Sequence, residues 1–137
     1  MNAVAIDLDA LGDTRKLLED WHADAEHRFR VDISALDEQL PNWERLLERF
    51  AEERAPVYLR RDAETTTVLR QLHADGIRIG VFTHAPAPVA RVALAQLGVA
   101  RRLEAIEAGA DALERLLARF GDGTKIVRTR EQLLGLI

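Results

Sequence analysis

Short apolar runs alternate with amphipathic segments along most of this chain. The run at residues 3–8 is broken only by Asp7, and the run at 77–83 is rich in β-branched and aromatic residues; two weaker runs lie at 103–108 and 124–129. Near-continuous apolar runs of this length are typical of strands buried on both faces of a parallel sheet. The pattern therefore predicts four strands.

Helical periodicity fills the intervals between these runs. Apolar residues recur every three or four positions among charged ones at 17–29 and 43–50, and residues 31–41 fit a turn with a short helix. Later helices are bounded by residues that typically start or stop a helix. These are Asp62 as an N-cap, the glycines at positions 76, 98 and 121 as stops, and two capping-box pairs, Asp111 with Glu114 and Thr129 with Gln132.

The alternation of strands and helices predicts an α/β fold. Parallel strands joined by right-handed helical crossovers form a doubly wound sheet, and ligands of such sheets bind at the carboxyl ends of the strands. The helical segment from about residue 15 to residue 61 is not required by the sheet. It follows the first strand directly, so we interpret it as an insertion near that strand's carboxyl end.

Composition narrows the classes of protein to which the chain can belong. It has 137 residues, of which 47% are hydrophobic and 31% charged, as expected for one globular domain. The net charge is −4 and the basic residues are scattered, which argues against nucleic-acid binding. No apolar segment approaches the length needed to span a bilayer, so we expect no membrane association.

Cysteine is absent, which excludes disulfides and thiolate metal sites. The N-terminal residues have no basic region before their apolar run and do not fit a signal peptide. We therefore expect a cytoplasmic protein. The apolar stripe of the last helix fits burial against either the sheet or another subunit, so the sequence leaves the oligomeric state open.

Two carboxylates, Asp7 and Asp9, stand where the first strand should end. On an extended segment, residues two apart project from the same side of the backbone, so the two groups are expected to converge. Closely spaced carboxylates favour a hard cation such as Mg²⁺, and one of them could attack phosphorus while the other transfers a proton. The alternative is structural, with Asp7 capping the strand and Asp9 opening a solvated turn.

Two quoted stretches resemble the haloacid dehalogenase (HAD) superfamily. The stretch "VAIDLDALGDT" is similar to its first motif, an apolar strand that ends in D-x-D. The stretch "GIRIGVFTHAP", followed by "ARVALAQLGV", is similar to its second motif, an apolar strand that ends in Thr or Ser. The resemblance implies a three-layer, Rossmann-like parallel sheet ordered third, second, first, fourth strand. It also implies that residues 1–14 and 62–137 form the core and 15–61 a small helical cap.

The resemblance also implies roles for individual residues. Asp7 would be the nucleophile that forms an aspartyl-phosphate, Asp9 the general acid and base, and Thr83 the hydroxyl that holds the transferred phosphoryl group. Asp7 and the backbone carbonyl of Asp9 would hold Mg²⁺, and the substrate would be a small phosphorylated compound. His84 follows Thr83 at the mouth of the site, where it could contact a substrate or donate a proton; a partly exposed loop histidine is the alternative.

The later motifs of the superfamily are not matched. The basic residue expected at the start of the helix after the third strand is missing until Arg115, and Arg101 and Arg102 lie before that strand. Where the last strand should end in a pair of acids, the chain has Arg128 and Thr129. Arg128 at this place could pair with a phosphate or with Asp7.

These matches and departures support two hypotheses of different classes. The first is a Mg²⁺-dependent hydrolase of small phosphomonoesters, with an activity weakened by the missing motifs. The second is a catalytically silent HAD-fold protein that binds a ligand or a protein partner in the strand-end cleft. Dehalogenation through an ester on Asp7 fits the resemblance but has no supporting residue.

Overall fold

The computed structural model describes residues 1–137 and contains a four-stranded, all-parallel sheet. Its strands are β1 (Ala3–Asp7), β2 (Arg78–Thr83), β3 (Ala105–Ala108) and β4 (Thr124–Val127), arranged in the order β3-β2-β1-β4. The predicted α/β class, the strand order and the parallel pairing are confirmed. β1 is a central strand with β2 and β4 on its two sides.

Seven α-helices surround or extend this sheet. They are α1 (Arg15–Phe29), α2 (Leu36–Gln39), α3 (Trp43–Tyr58), α4 (Ala63–Ala74), α5 (Ala87–Leu97), α6 (Ala112–Phe120) and α7 (Arg130–Leu134). The main core cluster joins one face of the sheet to α4, α5 and α7. A smaller cluster joins the opposite face to α6. The protein therefore has three layers, as predicted.

Small residues on the α6 side of the sheet allow that helix to pack closely. Ala5, Gly80 and Ala105 are aligned across β1, β2 and β3. A Cβ atom built at Gly80 would lie 2.6 Å from Leu116 Cδ1 and 2.7 Å from Phe120 Cε2. The absence of a side chain at position 80 is thus what lets α6 bury its apolar stripe against the middle of the sheet.

Helices α1 and α3 share an apolar cluster. It includes Leu17, Trp21, Leu47 and Phe50, and the rings of Trp21 and Phe50 are 5.7 Å apart. The cluster also contains residues that follow β2, namely Ala85 and Val89. The insertion therefore packs against the start of α5, beside the carboxyl end of the sheet.

Helix boundaries follow the sequence signals with two exceptions. Thr129 and Gln132 form the predicted capping box, and Gly98 ends α5 in the left-handed conformation with φ of 74°. The capping role predicted for Asp111 is wrong, because this residue has φ of 58° and its side chain caps nothing. The second predicted helix, 43–50, continues to Tyr58, since Ala51 and Ala55 extend its buried face.

No helix of the protein combines the length and the apolar character that crossing a bilayer requires.

We expect Gly80→Ala to lower the free energy of unfolding by about 1–3 kcal/mol, because the added methyl group overpacks the contact with α6. Chemical denaturation measures the change. Phe120→Leu provides room near the new methyl group, so the two substitutions together should cost less than the sum of their separate effects. Strict additivity would contradict the overpacking explanation.

Asp62 links α4 to α7, and its removal should destabilise both. Its carboxylate accepts a bond from Glu64 N at 3.0 Å and one from Arg130 Nε at 2.7 Å. The bond from Arg130, followed by the backbone bonds, lowers the pKa of Asp62 below its usual range. A carboxyl group whose pKa is lowered on folding stabilises the protein above its unfolded pKa of about 3.9, and that contribution is lost as the pH falls through the folded value.

Asp62→Ala should therefore reduce stability at neutral pH by about 1 kcal/mol through the lost cap. Asp62→Asn keeps a capping oxygen and should cost less. Denaturation from pH 7 to pH 3 should show the difference between the wild type and Asp62→Asn shrinking at the acidic end. A difference that is constant with pH would contradict the contribution of the ion pair.

Candidate active site

The carboxyl ends of β1 and β2 bring the predicted catalytic residues together. Asp7 is paired in register with Phe82, so Asp7 and Thr83 lie at the same edge of the sheet. They open into a cavity of about 380 Å³. Its walls come from the end of β1, the start of α1 and the loop after β2, and consist of Asp7, Asp9, Thr14, Arg15, Leu18, His22, Phe82, Thr83, His84, Ala85 and Pro86.

The backbone that carries Asp7 and Asp9 is not the extended segment that the sequence predicted. The backbone is extended only as far as Asp7, and Leu8–Ala10 form a turn of 3₁₀ helix. The Asp9 backbone N–H donates to Asp7 Oδ1 at 3.0 Å. The expectation of two side chains projecting from one extended segment is therefore wrong. The turn nevertheless leaves both carboxylates in the wall of the same cavity.

The environment of Asp9 shifts the pKa of its carboxyl group. Although the residue is exposed overall, partial burial of its carboxyl group raises its pKa above the usual range, and the charges of Asp7 and Asp13 raise it further. Arg15 acts in the opposite direction. A carboxyl group with a raised pKa is a candidate for proton transfer.

Thr83 is held in place with its hydroxyl proton unused. Its side chain is buried, with 7% exposure, and Oγ1 accepts a hydrogen bond from Ala85 N at 3.1 Å. This bond orients the side chain, and the O–H remains able to donate to an oxygen atom in the cavity. His84 is exposed and lines the same cavity.

The positive charge in this cavity comes from a residue that the sequence analysis did not select. Arg15, at the first position of α1, is the only Lys or Arg in the wall. Its guanidinium pairs with Asp13, with 2.9 Å between Nη2 and Oδ2. Leu18 and His22 follow it on one face of α1 and also line the cavity. Residues three and seven positions after Arg15 lie on the same face of a helix, so this spacing could have identified the three residues as neighbours.

The arginines that the sequence analysis compared with the third motif do not line this cavity. Arg115 donates to Glu107 Oε2 at 3.1 Å and to the backbone carbonyl groups of Ala108 and Ala110, so it fastens the end of β3. Arg101 and Arg102 line a separate hollow beside Arg78 and Ile79, where β2 begins.

Arg128 and Thr129 connect the end of β4 to the start of α7. The Arg128 guanidinium carbon lies 5.5 Å from the ring centre of Phe82, and Arg128 is not part of the cavity wall. The backbone N–H groups of Arg128 and Thr129 both donate to Gln132 Oε1. The structure thus brings Asp7, Asp9, Thr83 and His84 together but leaves Arg128 outside, because a helix cap occupies this strand end.

The cavity offers few side-chain ligands for a metal ion. No group of three or more His, Asp, Glu or Cys side chains with the spacing of a metal site occurs in the protein. Asp7 and Asp9 offer oxygen atoms only, which is the chemistry that Mg²⁺ prefers. Mg²⁺ sites in phosphoryl-transfer proteins often use one or two carboxylates, with water and substrate phosphate as the other ligands. The residues present fit that minimal arrangement.

Comparison with known proteins supports the fold. No protein-family model matches the chain. No curated protein matches its sequence either. Among solved structures, the one described as a "putative beta-phosphoglucomutase from Thermotoga maritima" aligns with a TM-score of 0.57 and 19% sequence identity, over 92% of this chain and 75% of that one. The chain therefore shares the α/β fold of that protein.

Proposed function

We propose that the protein hydrolyses small phosphomonoesters in a Mg²⁺-dependent reaction, through an aspartyl-phosphate on Asp7. The observation that carries the proposal is the presence of Asp7, Asp9, Thr83 and Arg15 in the wall of one cavity. The fold shared with a protein described as a phosphoglucomutase supports it as well, because that name denotes phosphoryl-transfer chemistry.

In the first step, a carboxylate oxygen of Asp7 attacks the phosphorus atom of the ester. A new bond forms between Asp7 and phosphorus while the bond from phosphorus to the ester oxygen breaks. Asp9, whose carboxyl pKa is raised, donates its proton to the departing oxygen and releases a neutral alcohol. The Thr83 hydroxyl donates a hydrogen bond to an oxygen of the transferring phosphoryl group.

In the second step, water attacks the phosphorus atom of the aspartyl-phosphate. Asp9 is now a carboxylate and accepts a proton from that water molecule. The bond between phosphorus and Asp7 breaks, inorganic phosphate leaves, and both aspartates return to their starting states. The net reaction consumes one ester and one water molecule and yields one alcohol and one phosphate.

Charge balance requires a cation at this site. A phosphate dianion beside two carboxylates is repelled unless positive charge lies close to it. Mg²⁺ held by the Asp7 carboxylate and the Asp9 backbone carbonyl would supply most of that charge. Arg15 adds a positive charge in the cavity wall, and because its Nε and Nη2 bind Asp13, Nη1 is the nitrogen left to donate to a phosphate oxygen.

The inserted segment, residues 15–61, serves in this proposal as a small cap over a core formed by residues 1–14 and 62–137. Its first helix supplies Arg15, Leu18 and His22 to the cavity. His84 supplies a further contact to the substrate from the core side.

A second function is favoured by the helix cap that follows β4. The capping box of Thr129 and Gln132 occupies the place where further acidic ligands would stand. With so few metal ligands, the cavity could bind a phosphorylated ligand through Arg15 and Thr83 without turnover. The protein would then be a catalytically silent binding module.

Asp7→Asn separates these functions. We expect the wild type to release phosphate from 4-nitrophenyl phosphate in the presence of Mg²⁺, and the variant to fall to background, because an amide cannot act as the nucleophile. Chelation of Mg²⁺ should reduce the wild-type rate as well. Equal, background-level release from both proteins would exclude the hydrolase and favour the silent binder.

Asp9→Asn tests the proton donor through the choice of leaving group. An alkyl alcohol needs the proton as it departs, whereas 4-nitrophenolate does not. We therefore expect kcat/KM, which reports the first step alone, to fall about 10²–10⁴-fold with an alkyl phosphate and much less with 4-nitrophenyl phosphate. Equal losses of kcat/KM with both substrates would contradict the general-acid role of Asp9.

Arg15→Ala tests the cation in the wall. We expect KM for phosphate esters to rise about tenfold, corresponding to one lost charge-assisted contact of about 1.4 kcal/mol. Arg28→Ala is the matched control, because Arg28 is an exposed arginine of the same helix outside the cavity. An equal effect of the two substitutions would indicate a long-range charge effect and not a contact.

A further inference from the structure

A hollow of about 270 Å³ lies at the amino end of the sheet. It is formed by the end of α4, the first residues of β2 and the turn that precedes β3. Arg78 begins β2 and Thr83 ends it, so roughly 16 Å of extended strand separates this hollow from the candidate active site. A molecule bound in the hollow would therefore not compete with one bound beside Asp7 and Asp9.

The wall of the hollow is strongly basic. It contains Arg78, Arg101 and Arg102, and its only acidic member is Glu104. The chain as a whole has a net charge of −4, so this concentration of positive charge runs against the overall composition. A concave surface whose charges are mainly of one sign raises the local concentration of ligands of the opposite sign. The hollow is therefore suited to an anion.

Two of these three arginines have no carboxylate partner. The Arg78 guanidinium is held by Glu104, with 3.0 Å between Nε and Oε2. Arg101 and Arg102 form no ion pair, whereas Arg115 on the neighbouring helix is fastened to a glutamate. The N–H groups of Arg101 and Arg102 are thus available to a ligand that enters the hollow.

The end of α4 also borders the hollow, and its carbonyl groups are already bonded. A carbonyl group without a partner at a helix C-terminus repels anions. Here the carbonyl groups of Leu72 and His73 accept the backbone N–H groups of Ile77 and Gly76, at 3.0 and 3.1 Å. The His73 side chain is exposed and lines the hollow, where its ring adds an N–H donor.

The arrangement of the donors favours phosphate over carboxylate. A phosphate group presents three or more oxygen atoms in different directions, so it can bridge two guanidinium groups, whereas a carboxylate offers two oxygen atoms in one plane. The volume of the hollow is smaller than that of pockets for drug-sized ligands, so the ligand has few atoms besides its phosphate groups.

We propose that this hollow is an anion-binding site for a small molecule that carries a phosphate or diphosphate group. Arg101 and Arg102 bind its oxygen atoms, and Arg78 contributes from the start of β2. The inference goes beyond the proposed function and does not depend on it, because the hollow shares no residue with the candidate active site.

Calorimetry with inorganic pyrophosphate tests the site, with Mg²⁺ left out so that no metal draws the probe to Asp7 and Asp9. We expect one molecule to bind per chain. Replacing both Arg101 and Arg102 by Gln should weaken the binding by about tenfold for each arginine, since each loses a hydrogen bond to a charged oxygen. If the double variant does not fold, Arg101→Gln alone serves, because Arg101 is exposed.

The matched control replaces Arg45 and Arg49 by Gln. These two exposed arginines of α3 form no ion pair and lie outside the hollow. The control removes the same charge from the chain and should leave pyrophosphate binding within about twofold of the wild type, because exposed charges farther away than the Debye length are screened.

Glu104→Gln should have the opposite effect. It removes the one negative charge of the wall and releases Arg78, so pyrophosphate should bind more tightly, by up to about fivefold. Glu53→Gln is the control, because Glu53 is an exposed glutamate of α3 outside the hollow. Thermal denaturation verifies that each variant is folded.

Arg15→Ala distinguishes this site from the candidate active site. Pyrophosphate binding should survive Arg15→Ala and be lost in the Arg101 and Arg102 double variant. The reverse pattern would assign the probe to the cavity beside Asp7 and overturn the inference. Equal weakening by the Arg45 and Arg49 control would show only a general attraction of charge and overturn it too, as would the absence of binding at millimolar pyrophosphate. None of these results changes the test of the hydrolase, which is the dependence of phosphate release on Asp7.

Discussion

The parallel pairing of β1 with β2 is the constraint on which the candidate site depends. The register places Asp7 beside Phe82, and every other feature of the site is arranged around the strand ends that this pairing creates. Buried backbone groups must find hydrogen-bond partners, so β1 can satisfy both of its sides only between β2 and β4. A carboxylate and a hydroxyl separated by more than seventy residues of sequence thereby come to share one cavity.

The helices between β1 and β2 supply the positive charge that the strand ends do not provide. The end of β3 is fastened by Arg115, and the end of β4 is closed by a capping box, so neither strand offers a cation or a further acid to the cavity. The first helix of the insertion instead contributes Arg15. Leu18 and His22 of the same helix line both this cavity and a second one beside it.

Much of the fold was predictable because its signals are local. Apolar runs identify strands buried on both faces, and Asp62, Gly98 and the pair Thr129–Gln132 mark helix ends through bonds made within a few residues. Asp111 was predicted wrongly because an Asp three residues before Glu114 fits a cap only if its backbone is extended. That backbone is instead left-handed, in a loop whose carbonyl groups are bound by Arg115, a contact that the local pattern does not encode.

By itself, the sequence determined the class of fold, the strand order through the motifs it resembles, and the candidate roles of Asp7, Asp9 and Thr83. Only the tertiary structure decided that Asp9 lies on a turn, that Arg15 and not Arg128 lines the cavity, and that two tryptophans border a second cavity. The physical reason is the separation along the chain of the residues that interact. Strands and caps follow from interactions among neighbours in the chain, whereas a cavity wall depends on which faces of distant helices pack together.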